Sequence, residues 1–239
     1  MSEKVFKIFV DFDGTITQQD IGEEMFLKFG DPDEAHKIIE RWIKKEITSV
    51  DTWRELCATV KNFDADKFDD FLSEIDIDPS FKKFVDYCDA NNFELFILSD
   101  GLDYYIDRVL EREGLTHLNA FTNRLTFSDG RLIPEFPFTD EECKQCANCK
   151  RNHIINHSAD DEFTVYIGDG YSDACPVQYC DFIFAKKSLL KFCEVNRISF
   201  SPYKNFNDVK RKLDTLVQKK RLKKRHQAEL KRREVYLQG

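Results

Sequence analysis

The sequence predicts an α/β fold: a parallel-sheet core with an inserted all-helical segment and a small β-hairpin. Three observations predict it. Apolar runs rich in β-branched and aromatic residues recur near residues 5–10, 93–98 and 163–167. Each ends in polar residues and a glycine: Asp11-Phe12-Asp13-Gly14-Thr15, Ser99-Asp100-Gly101 and Gly168-Asp169-Gly170. Helical periodicity separates the later runs, the pattern of parallel βαβ units. Residues 20–76, by contrast, show helical periodicity and no convincing strand.

The insertion reads as four short helices. Ile21, Met25, Phe26 and Phe29 form one apolar stripe, ended by Gly30. Pro32 opens a second helix, with Ala35, Ile38, Ile39, Trp42 and Ile43 on one face. Thr48 or Ser49 caps a third, and Asp64 a fourth, with Phe68, Phe71, Leu72 and Ile75 inward. Pro79 restarts the α/β pattern with an amphipathic helix over 81–91. A further helix follows Gly101, and then two apolar runs flank Asp129-Gly130, a hairpin signal. A helix to about His157 precedes the strand at 163–167, and residues 181–185 make a short fourth strand. The expected organisation is therefore a core of 1–16 and 77–205, an inserted helical segment of 17–76, and a basic C-terminal helix or tail of 206–239. Residues 234–239 are left out of the fold reading.

At 239 residues, 41% hydrophobic and 33% charged, the chain suits a soluble globular protein with one core domain and a substantial insertion. It has no apolar run long enough to cross a bilayer, and it starts directly with a strand rather than a signal segment. A cytoplasmic protein is the expectation. Cys57, Cys88, Cys175, Cys180 and Cys193 sit in apolar segments, as buried thiols of a reduced compartment do. The net charge of −8 is uneven: residues 204–234 carry +9, which leaves −17 on the rest. An acidic body argues against general nucleic-acid binding and suits a divalent cation.

In an extended strand, residues two apart point the same way, so Asp11 and Asp13 face one site past the strand's carboxyl end. Ligands of open α/β sheets bind there. The ends of the other strands bring Ser99, Asp169 and Asp173 to the same edge. Several carboxylates in one place call for a hard cation such as Mg²⁺, which prefers oxygen ligands and a substrate phosphate. Such an ion holds a phosphoryl group against a carboxylate nucleophile.

Asp11-Phe12-Asp13-Gly14-Thr15, Ser99-Asp100-Gly101, Lys150 and Gly168-Asp169-x-x-x-Asp173 resemble, in order, the four motifs of the haloacid dehalogenase (HAD) superfamily phosphatases. The resemblance implies a Rossmann-like core, and the helical insertion is similar to the cap of the phosphoserine phosphatase-like subgroup. The hairpin and the cysteines before Lys150 most resemble the branch that acts on 2-hydroxy-3-keto-5-methylthiopentenyl-1-phosphate. Phosphocholine and pyridoxal phosphate phosphatases share the cap type. The implied activity is Mg²⁺-dependent hydrolysis of a small phosphorylated metabolite. In the implied roles, Asp11 attacks phosphorus, and Asp13 protonates the leaving alcohol and then activates water. Ser99 and the Gly101 N–H bind phosphate, while Lys150 neutralises charge. Mg²⁺ is held by Asp11, Asp169 and the Asp13 carbonyl, with Asp173 supporting it directly or through water. Asp20, in the place where phosphoserine phosphatase meets its substrate amine, reads a polar substrate group; as an N-cap it serves the helix at Ile21 instead, and both can hold.

Several readings stay open. Lys144 rivals Lys150 as the motif lysine. Cys143, Cys146 and Cys149 have metal-ligand spacing, but Zn²⁺ needs a fourth ligand from His153 or His157; a disulfide or plain thiols are the alternatives. Glu23, Arg54 and Tyr104 are candidates for lining the cap cleft, and Trp42 and Trp53 read as helix-bundle core. In the basic tail, Val209, Leu213, Leu216 and Val217 dock the first half, while the second half has little to bury. A phosphotransferase, or a noncatalytic protein that binds nucleic acid through this tail, are the rival functions. Oligomeric state is not legible in the sequence.

Overall fold

The computed structural model describes residues 4–238. Its contacts cluster into two compact units. One comprises residues 1–11, 77–98 and 150–239; the other comprises 12–76 and 99–149.

The first unit is built on parallel strands in the order β2-β1-β5-β6-β7. They are β1 (Phe6–Val10), β2 (Glu94–Leu102, whose last four residues belong to the second unit), β5 (Phe163–Gly168), β6 (Phe182–Ala185) and β7 (Ser201–Pro202). The central strand β1 is buried along its whole length, the state of a parallel strand covered on both faces. It pairs in register with β2, Val10 opposite Ile97, and with β5, Val10 opposite Ile167. Asp11 N–H still donates to the Ile167 carbonyl at 2.9 Å, so the strand pairing continues up to the first acid. The helices of this unit are α5 (Phe81–Ala90), α7 (Lys150–Asn156), α8 (Lys187–Val195), α9 (Phe206–Val217) and α10 (His226–Gln238). Phe206 on α9 packs on Phe81 and Phe84 of α5, with ring centroids 4.8 and 5.2 Å apart.

The second unit holds α1 (Ile21–Phe29), α2 (Pro32–Ile43), α3 (Ser49–Thr59), α4 (Ala65–Ser73) and α6 (Asp103–Arg112), with the antiparallel hairpin of β3 (Asn119–Ser128) and β4 (Arg131–Glu135). The caps are local side chains. Asp20, Asp31, Thr48 and Asp64 each accept a backbone N–H in the first turn of the helix they precede. The hairpin is tied to the helical insertion: Phe63 N–H donates to the Gly130 carbonyl at 2.9 Å, and the rings of Phe63 and Tyr104 meet Phe127 at 5.3 and 5.6 Å. These ties are why the contacts group 99–149 with 12–76, where sequence periodicity alone draws a boundary at 17 and 76. Trp53 packs edge-on against Phe26, and Trp42 donates its indole N–H to Ser49 Oγ at 3.1 Å.

Two expectations need correction. The second half of the tail does have something to bury: α10 seats Ala228 fully and Arg232 almost fully within the first unit. Arginine is not an apolar residue, so hydrophobic patterning does not reveal such a seat. Cys175 is half-exposed, whereas Cys57, Cys88, Cys180 and Cys193 are buried as expected. Burial pushes the thiols of Cys57 and Cys180 up to about 12 and that of Cys193 to about 11, which holds them as inert thiols. Among the described residues, no helix is long and apolar enough to cross a membrane.

Candidate active site

The first unit gathers a buried charge cluster. Lys150, the first residue of α7, reaches Asp11 Oδ1 at 2.6 Å and Asp173 Oδ1 at 2.8 Å, with Ser172 Oγ at 3.2 Å. All three ionic groups are almost fully buried. Burial alone would lower the Lys150 pKa, but the Asp11 and Asp173 charges override it and hold the ammonium protonated. Asp11 is pushed well above the ordinary carboxylate range by burial and by the Asp173 charge, against the pull of Lys150. Lys144, its sequence rival, is exposed on the rim of an open cleft of the second unit that Arg54 and Phe136 also line.

Asp173 sits in a 3-10 turn, Tyr171–Ala174, directly after β5. Its Oδ2 accepts the N–H groups of Asp169 and Gly170 at 2.9 and 3.1 Å, and its Oδ1 also accepts the Tyr166 hydroxyl at 2.6 Å. Both carboxylate oxygens are thus engaged in shaping the loop. Gly168 is required here: a Cβ would lie 2.3 Å from Asp173 Oδ2. Asp169 is held by Lys187, whose Nζ is 2.8 Å from its Oδ2. Burial and the Asp173 charge raise the Asp169 pKa.

The donor set fits a hard divalent cation. Among the described residues, Asp11, Asp169 and Asp173 form the one group of three that could hold a metal, each offering an oxygen within 4.8 Å of the others. Three buried carboxylates against one buried lysine leave negative charge to be compensated. Asp11 and Asp169 are the better direct ligands, because Asp173 already accepts four donors. The three cysteines form no such group: Cys143 is exposed, Cys146 half-exposed and Cys149 buried.

The second unit gathers a different set around Asp13. Asp13 Oδ1 accepts the Ile21 N–H at 3.1 Å. Its Oδ2 accepts the Tyr105 hydroxyl at 2.8 Å and lies 3.4 Å from Ser99 Oγ. Burial and the Asp20 charge push the Asp13 carboxyl up to about 7, against the pull of Tyr105 and the backbone N–H groups of Ile21 and Gly22. Asp20 is exposed and caps α1, accepting the Glu23 N–H at 2.9 Å. Ser99 Oγ accepts the Gly101 N–H at 2.9 Å. Gly101 is a close approach: a Cβ there would come within 1.9 Å of the Tyr105 hydroxyl and 2.8 Å of Asp13 Oδ2.

Two residues of this set escape sequence reasoning. Tyr105, not Tyr104, meets the acid; Tyr104 turns to Asp69 and carries Arg108 over its ring. The signal was available in α6, where Tyr105, Ile106, Val109 and Leu110 make the buried stripe and Tyr104 falls outside it. Asn148 is the other. Its side-chain amide donates to the Ser99 and Phe121 carbonyls at 2.7 and 2.8 Å, and its backbone N–H to Asp100 Oδ1 at 2.9 Å. It thereby fixes the Ser99-Asp100-Gly101 turn. Glu23 is exposed, as is Arg54, whose guanidinium lies 5.7 Å from the Phe136 ring centre.

Comparison with known proteins agrees with this chemistry. The family model described as "Putative Phosphatase" matches residues 6–211. A 2-hydroxy-3-keto-5-methylthiopentenyl-1-phosphate phosphatase of Bacillus mycoides (strain KBAB4) is 30% identical over 217 residues, covering 90% of this chain and 98% of its own. The enzyme of that name from Bacillus cereus (strain AH820) is 30% identical over 218 residues, with the same coverage. Among solved structures, a phospho-aspartyl intermediate analogue of phosphoserine phosphatase superposes with a TM-score of 0.69 at 20% identity, covering 89% of this chain and 99% of that one. A substrate-bound phosphoserine phosphatase gives 0.67 at 21%, again over 89% and 99%. At those identities the structures establish the fold, and the sequence match establishes the family. The chain belongs to this family of phosphatases, of haloacid dehalogenase type, whose members hydrolyse phosphomonoesters.

Proposed function

We propose that the protein is a Mg²⁺-dependent phosphatase of a small metabolite that works through an aspartyl-phosphate on Asp11. The observation that carries this reading is the buried contact of Lys150 with Asp11 and Asp173. Lys150 pulls Asp11 toward its anionic, nucleophilic form against burial and the Asp173 charge, and a bound cation would add to that pull.

In the first step an Asp11 carboxylate oxygen bonds to phosphorus as the ester P–O bond breaks, and Asp13 gives its proton to the departing alkoxide. A carboxyl with a pKa of about 7 is protonated often enough at neutral pH to do so. In the second step Asp13, now a carboxylate, takes a proton from water. The water oxygen attacks phosphorus, the bond to Asp11 breaks, and inorganic phosphate leaves. Ser99 Oγ and the Gly101 N–H hold phosphoryl oxygens, and Lys150 compensates charge on them and on Asp11. Asp11, Asp169 and the Asp13 carbonyl would hold Mg²⁺, with Asp173 in support. Bound there, the ion would supply positive charge to the phosphoryl oxygens.

For the substrate we favour 2-hydroxy-3-keto-5-methylthiopentenyl-1-phosphate, because relatives of that name align over almost their whole length. Phosphoserine, phosphocholine and pyridoxal phosphate are the alternatives, to be read by the helical segment 17–76 and by Asp20. The nucleic-acid reading loses ground because Arg225 and Arg232 are engaged by the protein itself. The test is phosphate release from those four esters with Mg²⁺, together with [¹⁸O]water. Preference for 2-hydroxy-3-keto-5-methylthiopentenyl-1-phosphate and one labelled oxygen per phosphate are expected. Transfer of phosphate to an added alcohol in place of water would identify a phosphotransferase, and no turnover of any ester would overturn the reading.

A further inference from the structure

The basic end of the chain makes contacts that neither its sequence nor the family match anticipates. The match stops at residue 211, ahead of α10. Beyond it, Arg225 and Arg232 turn inward onto one short stretch, the 3-10 turn Pro176–Tyr179 and the two residues after it. Arg225 Nε donates to the Cys180 carbonyl at 2.8 Å, and Arg225 Nη2 to the Val177 carbonyl at 2.5 Å. Arg232 Nη1 donates to the Tyr179 carbonyl at 2.5 Å and to Thr164 Oγ1 at 3.2 Å. Arg232 Nη2 lies 3.3 Å from Asp181 Oδ1, which also accepts the Arg225 N–H at 3.2 Å. Three carbonyls at the carboxyl end of a turn thus receive donors from two guanidinium groups. Carbonyls there lack partners within the turn, and the planar fork of arginine is built to serve several acceptors at once.

The stretch so held adjoins the charge cluster on both sides. It follows the Tyr171–Ala174 turn that carries Asp173, with one residue between. Tyr179 also lies within electrostatic reach of Arg151, the neighbour of Lys150 on α7. On its other flank the Asp169 loop is tied to α8, whose Ser188 Oγ and Leu189 N–H donate to the Asp169 carbonyl at 3.1 and 2.9 Å. The loop bearing Asp169 and Asp173 is therefore anchored by α8 on one side and by the 176–181 stretch on the other.

We propose that the C-terminal segment is a brace for the cation-binding half of the site, with Arg225 and Arg232 as positioning residues for Asp173 and Lys150. Neither arginine touches the carboxylates; each acts through the 176–181 backbone. The inference rests on the assignment of Asp11, Asp169 and Asp173 as the cation site.

Calorimetric titration of the full chain with Mg²⁺ alone, without substrate, tests it at a temperature where every variant is folded by circular dichroism. Losses of about tenfold in Mg²⁺ affinity are typical when outer supports of a metal site are removed, and we expect that size for Arg232→Met and less for Arg225→Met. Arg225→Lys, which keeps one donor, recovers part of the loss. Leu213→Ala on α9, buried far along the chain from the turn, lowers the melting temperature but leaves Mg²⁺ affinity unchanged. If Arg232→Met does not fold, the Arg225 pair decides alone. The brace is overturned if the arginine variants bind Mg²⁺ as tightly as the parent, or if Leu213→Ala weakens binding equally. The underlying cation site fails separately, if the parent and Asp11→Asn bind Mg²⁺ alike.

Discussion

Asp11 and Asp13 are two residues apart, and burial and an acidic neighbour raise the pKa of both; they differ in the partner that opposes the rise. In the first unit Asp11 faces an ammonium group, Lys150, at 2.6 Å. In the second unit Asp13 is held by neutral donors, the Tyr105 hydroxyl and the Ile21 N–H, with the acidic Asp20 raising its pKa. One carboxylate is given a permanent counter-charge, which suits a nucleophile. In the other the rise is opposed only by neutral donors, which suits a group that must gain and lose a proton near pH 7. On the proposed mechanism, these partners divide two chemically identical side chains into two roles.

The most severe way to break this division is Asp11→Asn. Turnover should fall by at least about 10⁴-fold, as when nucleophiles are removed from other enzymes, and mass spectrometry should find no phosphorylated protein after rapid quenching. Lys150→Met should be next. Loss of charge compensation should lower kcat by about 10³-fold. Leaving two buried carboxylates without their cation should also cost about 3 kcal/mol in urea denaturation; unchanged stability would mean that the ammonium does not compensate Asp11.

Asp13→Asn should lower kcat/KM by about 10²–10⁴-fold, with the smallest loss on esters of acidic alcohols, whose leaving groups need no proton. If, as proposed, the protonated form of Asp13 serves the first step, kcat/KM should decline as pH rises through about 7. Tyr105→Phe removes a donor that favours the carboxylate, so it should move that descending limb to higher pH, with a smaller loss of rate. A limb that stays in place would show that the hydroxyl does not tune Asp13. The smallest effect belongs to His153. Burial and the neighbouring His157 lower it from the ordinary 6.5 to about 4. Between those values the unfolded chain binds a proton that the folded chain does not, so stability present above pH 6.5 is lost as pH falls toward 4. The loss should not exceed about 2–3 kcal/mol, and His153→Leu should remove it, as melting curves at pH 7 and 5 will measure.

The strand ends were legible because an apolar run closing in Asp-x-Asp-Gly or Ser-Asp-Gly leaves few other readings. The insertion was legible because its start signals adjoin the stripes they open: the capping side chains of Asp20, Thr48 and Asp64, and Pro32 at the first position of α2. Tyr105 was missed because two tyrosines in a row invite a choice that only the α6 stripe decides. The seat of α10 was missed because a buried arginine, Arg232, leaves no hydrophobic signal. The available clue was the partner, Asp181, an acid opening a buried strand that must find donors somewhere. Hydrogen-bond partners so distant in sequence are invisible to a reading made along the chain.

That distance has a consequence for how the enzyme comes into being. Lys150 and Asp11 are separated by 139 positions, and the closure entropy of so large a loop must be overcome before the pair forms. During synthesis Asp11 exists without its Lys150 counter-ion until well over half of the chain has been made. On the proposed mechanism, a young chain carrying the first motif is therefore idle until α7 and the β5 turn reach the end of β1.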